Sequence, residues 1–415
     1  MKIVTASFLY NPGSLPIEGG GVAIRDGRVV AVGTRSELLS QYTAPLEEHP
    51  GCILMPGMVN AHTHLELTHF PAWKIRKGLD YSPRTYTDWI IQVIKLRRGL
   101  TSEEVQHSLS EGIRISLEAG TTTVGDILTD FSLLPLYGQF PLDGRIYLEM
   151  IGHDPFRCAG RIREFEQALT TFDSDRLFPG ISPHAPHTLS DEFMRQVLEL
   201  SRDRGIPGMV HLAESPEEVD FCFDSSGHIA EILYPFIGWQ SYLPSPRRLS
   251  PVAWVDSISP LTPLTTVVHS VHVTPADVGI LRDRGVSVVL CPRSNDRLAV
   301  GMPPLMLLKG ARIPLAIGTD SLASNDSLSV WDEIRFIFEK WPQLFSADDL
   351  LVMATSGGAK ALHLQDQAGL LEPGRRANIQ VVKTAGPLTP QRVPRALVET
   401  GEPVSVYLAG TFRGE

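Results

Sequence analysis

The chain has 415 residues, 43% of them hydrophobic and 20% charged, with a formal net charge of −10. That composition is soluble and globular, and the length calls for a large barrel plus a second domain rather than one ordinary core. The negative balance argues against nucleic-acid binding, no apolar run is long enough for a membrane span, and the scattered Cys52, Cys158, Cys222 and Cys291 form no CxxC pair, which leaves zinc knuckles and dithiol redox centres unsupported.

Residues 1 to about 55 read as short strands separated by turns. In GGGVAIRDGRVVAVG (19–33), two Val/Ile-rich runs flank Asp26-Gly27, a strong hairpin signal. The opening MKIVTASFLYNPG breaks at Asn11-Pro12-Gly13 before any apolar leader core, so no signal peptide is expected. Buried reduced thiols are the expectation for the four cysteines, which fits a cytoplasmic location. The far end has the same texture as the start: ANIQVV (377–382), VSVYLAG (404–410) and a turn at Glu372-Pro373-Gly374. Both ends are therefore expected to pair into one small β-sandwich domain, residues 1–55 and 363–415, around an inserted unit of residues 56–362.

The inserted unit alternates. Strand-like runs recur at GMVNAHTH (57–64), TTTVGDI (121–127), RIYLEMI (145–151), FPGISPHA (178–185), IPGMVHLAE (206–214), TTVVHSVHV (265–273), VSVVLCPRSN (286–295) and IPLAIGTDS (313–321). Between several of them lie helical segments that open on Ser or Thr and close on Gly: SEEVQHSLSEGIRISLEAG, SDEFMRQVLELSRDRG and TPADVGILRDRG. Eight strands alternating with helices fit a (β/α)₈ barrel of the α/β class; a doubly wound open sheet fits the alternation equally well.

Polar residues at the strand ends decide between them, because the C-terminal ends of barrel strands form the active-site mouth. The first strand ends in His62-Thr63-His64, and residues i and i+2 of a strand point to one side. The fifth ends in His211-Leu212-Ala213-Glu214, the sixth carries His269 and His272, and the eighth ends in Gly318-Thr319-Asp320-Ser321. Histidine and carboxylate ligands suit one divalent ion, zinc by ligand type, with iron or manganese fitting the same set. A lone buried histidine is more often structural, but four such strand ends converging on one concave site point to metal chemistry.

PGMVNAHTHLE, HLAE, VVHSVHV, CPRSN and GTDSLASN, in that order, resemble the amidohydrolase superfamily, nearest its branch of triazine hydrolases and purine or nucleoside deaminases. The likeness spans almost the whole chain, and AGLLEPGRRANIQVV resembles the family's return to its β-domain. The resemblance implies that His62, His64, His211 and Asp320 ligate the metal, that Glu214 shuttles protons, and that His269 sits beside the metal-activated water. It implies that His184 in SPHAPH faces the substrate, with His187 a supporting or loop residue and His272 structural. Binuclear members place a carboxylated lysine on the fourth strand; FPGISPHA has none, which favours a mononuclear site. The unrelated cytidine-deaminase signature, HxE with PCxxC, is absent.

The implied reaction is hydrolytic deamination. Hydroxide attacks the amino-bearing ring carbon, Glu214 carries the water proton to the adjacent ring nitrogen, and Asp320 serves the departing ammonia. Loss of chloride or hydrolysis of an amide or another C–N bond is the alternative within the fold, and a non-catalytic scaffold is the alternative outside enzymology. HTHLELTHF and SPHAPHT look most like aminodeoxyfutalosine deaminases of menaquinone biosynthesis, whose substrate joins an adenine to a benzoate; adenosine, S-adenosylhomocysteine and methylthioadenosine are the rivals. Glu66 offers a substrate hydrogen bond or a salt bridge. Arg84, with Lys74, Arg76 and Lys77, offers an anion pocket or a solvated face. The aromatics of residues 215–250, among them Phe221, Tyr234, Trp239 and Tyr242, serve either a planar ring or the loop's own core. The only partner expected is a small aminated heterocycle, and the family resemblance points to a homodimer.

Overall fold

The computed structural model describes residues 1–79, 81–172 and 175–413; the last two residues of the expected C-terminal β segment, 414 and 415, lie outside that range. In chain order the strands are β1 (Lys2–Leu9), β2 (Ile17–Glu18), β3 (Gly20–Arg25), β4 (Arg28–Thr34), β5 (Leu46–Pro56), β6 (Met58–Thr63), β7 (Thr121–Leu128), β8 (Asp143–Met150), β9 (Leu177–Pro183), β10 (Gly208–Leu212), β11 (Thr265–His269), β12 (Ser287–Leu290), β13 (Leu315–Ile317), β14 (Ile379–Lys383), β15 (Glu402–Leu408) and β16 (Thr411–Arg413).

Strands β6 to β13 pair in sequence order, all parallel, with helices between them. The ring closes between first and last: a parallel bridge joins Thr63 to Asp320, and the Asp320 N–H donates to the His62 carbonyl at 3.1 Å. This is the (β/α)₈ barrel. Both chain ends build the other sheet, in the order β16-β15-β14-β5-β1-β3-β4 with β2 beside β1. Its two halves meet where β14 runs antiparallel to β5, from Ile379 opposite Pro56 to Lys383 opposite Cys52. Asp26 and Gly27 both take positive φ, 51° and 76°, the requirement of a type I′ turn between β3 and β4. A buried ion pair, Arg376 Nε to Asp143 Oδ2 at 2.7 Å, ties the end sheet to the foot of β8.

The helices follow their caps. Ser190 and Thr274 cap Asp191–Arg204 and Pro275–Arg284, which end on Gly205 and Gly285 at φ 63° and 68°. For Ser102–Glu118 the cap is Thr101, one residue earlier than the sequence suggests, because Glu104 at the third position completes a reciprocal capping box with it. Several strand-like runs shorten. TTVVHSVHV is strand only to His269, since Ser270 turns to φ 51°, and in VSVVLCPRSN the strand stops at Leu290 and Pro292–Arg297 is helix. All four cysteines are buried and free, and among the described residues no helix is long and apolar enough to cross a membrane.

A separate apolar cluster joins Val59, Ala61, Ile127, Tyr147, Met209, Val289 and Ala316 of the barrel strands to Ala359, Ala361 and Leu362. It reaches the site through Met209, whose Sδ lies 3.2 Å from His62 Nδ1. The closing seam is equally tight. A Cβ on Gly318 would stand 2.7 Å from the His62 carbonyl oxygen and 2.8 Å from its nitrogen. Gly318→Ala should therefore cost about 1–3 kcal/mol and lower the melting temperature. Gly279→Ala, in an open helical position with nothing within 4 Å, should leave it equal or higher. Equal melting temperatures for the two variants would contradict the seam.

Candidate active site

The four converging His and Asp side chains, with Glu214 and His269, sit at or just beyond barrel strand ends, where the ladder stops and backbone geometry is free to turn. Three of these turns are strained: Ala213, His269 and Asp320 are non-glycine residues at φ 55°, 72° and 57°. Such conformations cost about 1–3 kcal/mol each and persist only where the surroundings dictate them.

His62 and His64, from the end of β6, converge with His211 of β10: one ring nitrogen of each lies within 4.8 Å of the others. His211 Nδ1 donates to the His184 carbonyl at 2.8 Å, which leaves the lone pair on Nε2. That Nε2 faces His64 Nε2 at 3.3 Å, while His62 Nε2 is buried without a hydrogen-bond partner. Asp320 Oδ1 stands 3.8 and 3.7 Å from the Nε2 atoms of His62 and His64. Its other oxygen accepts from Ser294 Oγ at 2.6 Å and Ser324 Oγ at 2.7 Å, which fixes the carboxylate and keeps Oδ1 free. Burial, reinforced by neighbouring imidazoles, holds His62 and His211 well below the ordinary histidine range. For Asp320, burial raises the pKa, but His64, His62 and His269 outweigh it and bring it down to about 2. His62 and His211, held neutral by burial, crowd together with His64 and an ionised carboxylate, a donor set that fits a divalent cation.

Glu214, Asp320 and His269 form a second group with ligand atoms within 4.8 Å. Glu214 Oε1 is 3.5 Å from His269 Nε2, and Oε2 accepts from Tyr86 Oη at 2.7 Å. Burial raises the Glu214 pKa, against the lowering effect of His269. The backbone beneath is clamped by Glu218, whose two oxygens accept the Ala213 and Glu214 N–H groups at 2.8 and 2.9 Å. His269 is oriented by Asn295 Oδ1, 3.0 Å from its Nδ1.

These groups open into a cavity of 420 Å³, a size suited to a nucleoside-like molecule. Tyr86, Trp89, Ile90, Val93 and Ile94 of helix Tyr86–Arg97 form an apolar wall, with Trp239 on the far side. His184 lines the cavity, with Nδ1 2.9 Å from Thr188 Oγ1. His187 is fully buried without a ring hydrogen bond, and His272 lies beyond its strand with Nε2 2.7 Å from the Val300 carbonyl. Glu66 is not brought to the cavity; it is buried against Arg97. Arg84 is exposed before the helix and outside the cavity lining, and the lining cations are Arg97, Arg98 and Arg157. Of the aromatics of 215–250, Phe221 and Tyr234 are core, Tyr242 is exposed, and Trp239 meets the cavity. Sequence reasoning missed Tyr86, Glu149 and the arginines; the Ser/Thr-capped apolar run YTDWIIQVI was the available sign of a helix over the mouth.

Residues 53–413 match the family model described as the amidohydrolase family, and residues 20–44 match an imidazolonepropionase-like composite domain of bacteria. The chain belongs to the amidohydrolase family. It is 30% identical over 387 residues to a 5-methylthioadenosine/S-adenosylhomocysteine deaminase of Nitratidesulfovibrio vulgaris (strain DP4), covering 89% of this chain and 80% of the relative. It is 29% identical over 374 residues to an aminodeoxyfutalosine deaminase of Deinococcus radiodurans, covering 87% and 85%. The fold matches the Helicobacter pylori aminofutalosine deaminase solved with methylthio-coformycin, with a TM-score of 0.88 at 23% identity over 100% of both chains.

Two histidines separate the roles of this amidohydrolase's site. His211→Ala should abolish co-purification of metal, measured by elemental analysis. His272→Ala should retain the metal, because its ring serves only the Val300 carbonyl. Loss of metal in both, or retention in both, would contradict the arrangement.

Proposed function

We propose that this amidohydrolase is a metal-dependent deaminase that hydrolyses the amino group from the adenine ring of a 5′-extended nucleoside. The observation that carries the proposal is the buried Glu214 carboxylate, 3.5 Å from His269 and adjacent to the His62/His64/His211/Asp320 cluster, at the base of a nucleoside-sized cavity. Its relatives carry deaminase names, and both named substrate types are adenine nucleosides extended at the sugar.

His62, His64, His211 and Asp320 are the proposed ligands, and zinc is the proposed ion, from the donor set. A divalent ion held there supplies Lewis acidity that brings the pKa of a water towards neutrality. Glu214 takes the proton of the attacking water and delivers it to the ring nitrogen beside the amino-bearing carbon. Tyr86 aims that carboxylate. His269, fixed by Asn295, stabilises the charge that develops on the attacked carbon's oxygen. Asp320 Oδ1 accepts the second proton of the attacking water, from the oxygen now bonded to the ring carbon, and delivers it to the amino group as the C–N bond breaks, while Ser294 and Ser324 hold Oδ2. Trp89, Ile90, Val93 and Ile94 exclude water from the ring. Arg98 and Arg157 line the cavity and Arg84 does not, which supports a substrate with a carboxylate tail; aminodeoxyfutalosine, whose benzoate carries no ammonium beside it, is the leading one.

Zinc-loaded protein should release ammonia from aminodeoxyfutalosine faster than from methylthioadenosine, S-adenosylhomocysteine or adenosine, with the adenine-to-hypoxanthine absorbance change. Preference for methylthioadenosine would remove the anion station and keep the chemistry. No ammonia from any of them, with metal bound, would refute the proposal. Glu214→Gln should lower kcat by about 10²–10⁴-fold with metal retained. In Tyr86→Phe, loss of the hydrogen bond that favours the ionised form should raise the Glu214 pKa. The acid limb of kcat/KM should then move to higher pH, because the carboxylate must be ionised to take the water proton. An unmoved or down-shifted limb would show that Tyr86 does not act through Glu214.

A further inference from the structure

One carboxylate in the cavity has no part in the chemistry above. Glu149, at the C-terminal end of β8, is 4% exposed, and that remnant of surface faces the cavity. A buried charge needs partners, and Glu149 has them on one side only. Oε2 accepts from Thr129 Oγ1 at 2.7 Å, and Thr129 in turn accepts from Arg97 Nη1 at 3.1 Å. The backbone around both residues is pinned by Arg161: Nε donates to the Glu149 carbonyl at 3.1 Å and Nη2 to the Thr129 carbonyl at 2.6 Å. Oε1 stands 3.8 Å from His184 Nε2, too far for a hydrogen bond.

The His184 side of that gap is also defined by bonding. Thr188 Oγ1 accepts from the Ala185 N–H at 3.2 Å and lies 3.0 Å from the Ala185 carbonyl and 2.9 Å from His184 Nδ1; with its proton turned to the carbonyl, it accepts from Nδ1. In that arrangement the ring proton of neutral His184 sits on Nδ1, and Nε2 presents a lone pair to the cavity. Two acceptors, a carboxylate oxygen and an imidazole nitrogen, face the cavity side by side with no donor between them. Both sit on rigid strand ends, so the gap cannot collapse to relieve itself. What satisfies such a pair is a ligand bearing adjacent O–H donors.

We propose that Glu149, held by Thr129 and paired with His184, binds the vicinal hydroxyls of the substrate's ribose, so that the enzyme selects ribonucleosides over deoxyribonucleosides. The inference rests on the deaminase reading and deepens it, since it assigns the sugar end of the same cavity. The carboxylate takes one hydroxyl proton and the imidazole lone pair the other; the sugar is thereby fixed and the adenine ring is presented to Glu214. Removing a hydroxyl would leave a buried acceptor unpaired, which a site of this type penalises heavily.

The test compares zinc-loaded wild type, Glu149→Ala and Glu149→Gln on 5′-methylthioadenosine, its 2′-deoxy and 3′-deoxy counterparts and, separately, S-adenosylhomocysteine, by ammonia release. Wild type should favour the ribonucleoside in kcat/KM by about 100-fold or more over at least one deoxy analogue. In Glu149→Ala that ratio should shrink at least tenfold, mainly through KM for the ribonucleoside. Glu149→Gln keeps an acceptor for Thr129 and turns a donor to the cavity, so it should fold and hold zinc as wild type does and still lose the preference. An unchanged ratio in both variants, or equal losses on all three substrates, overturns the assignment while the deaminase reading stands. A loss seen only with S-adenosylhomocysteine, whose tail bears an ammonium group, also overturns it, in favour of a cation station. Silence of the wild type towards every adenine nucleoside overturns the parent reading and this one with it.

Discussion

Three imidazole nitrogens and a carboxylate oxygen are made to face one another in one crowded cluster, and the fold is organised to sustain that crowding. Left alone, such a group would rotate apart or protonate. Rotation is blocked at three of these four side chains by different neighbours: Met209 and the barrel seam at His62, the His184 carbonyl at His211, Ser294 and Ser324 at Asp320. Protonation is opposed by burial, which disfavours the charged imidazole. The unmet demand is what gives the site its appetite for a cation.

The same economy runs through the second layer. Glu218 spends both oxygens on two backbone N–H groups so that Glu214 is aimed, and Asn295 does for His269 what Ser294 and Ser324 do for Asp320. Strained backbone at Ala213, His269 and Asp320 lies where these supports are densest. Stability of the barrel and precision of the site are one set of interactions, because the residues that close the ring also carry ligands.

The barrel and the convergence of His62, His64, His211 and Asp320 were legible because short motifs at strand ends combine two independent signals, the ending of an apolar run and the residue type that follows it. The walls of the cavity were much less so. In helix Tyr86–Arg97 the apolar residues Trp89, Ile90, Ile91, Val93, Ile94 and Leu96 fall on several faces, so periodicity does not say that Ile91 and Leu96 go to the protein core while the others meet the cavity. Without that phase, Arg84 and Arg97 are two cations of one basic stretch, and only the fold turns the second inward. Glu66 and Glu149 show the same limit. Each is a carboxylate beside a strand end, and which one meets an arginine and which the cavity is settled by tertiary contacts. His272 looks like a strand partner of His269 until Ser270 takes φ 51° and ends the strand between them.

The pairing of β5 with β14 also imposes an order in time. On the ribosome, Leu46–Pro56 emerges early, whereas its antiparallel neighbour Ile379–Lys383 follows about 320 residues later. At synthesis rates of roughly 5–20 residues per second, one edge of β5, with Ile53 and Leu54, goes without its native neighbour for roughly 15–60 seconds. Asp320 reaches His62 late in the same interval. The nascent chain thus carries a bare strand edge and an incomplete His/Asp cluster through most of its synthesis, and a product truncated before Asp320 keeps both. Open edges of this kind are what aggregation and chaperone capture act upon. The arrangement makes late synthesis, rather than local collapse, the stage that first completes the cluster at Asp320 and then seals the end sheet at Ile379–Lys383.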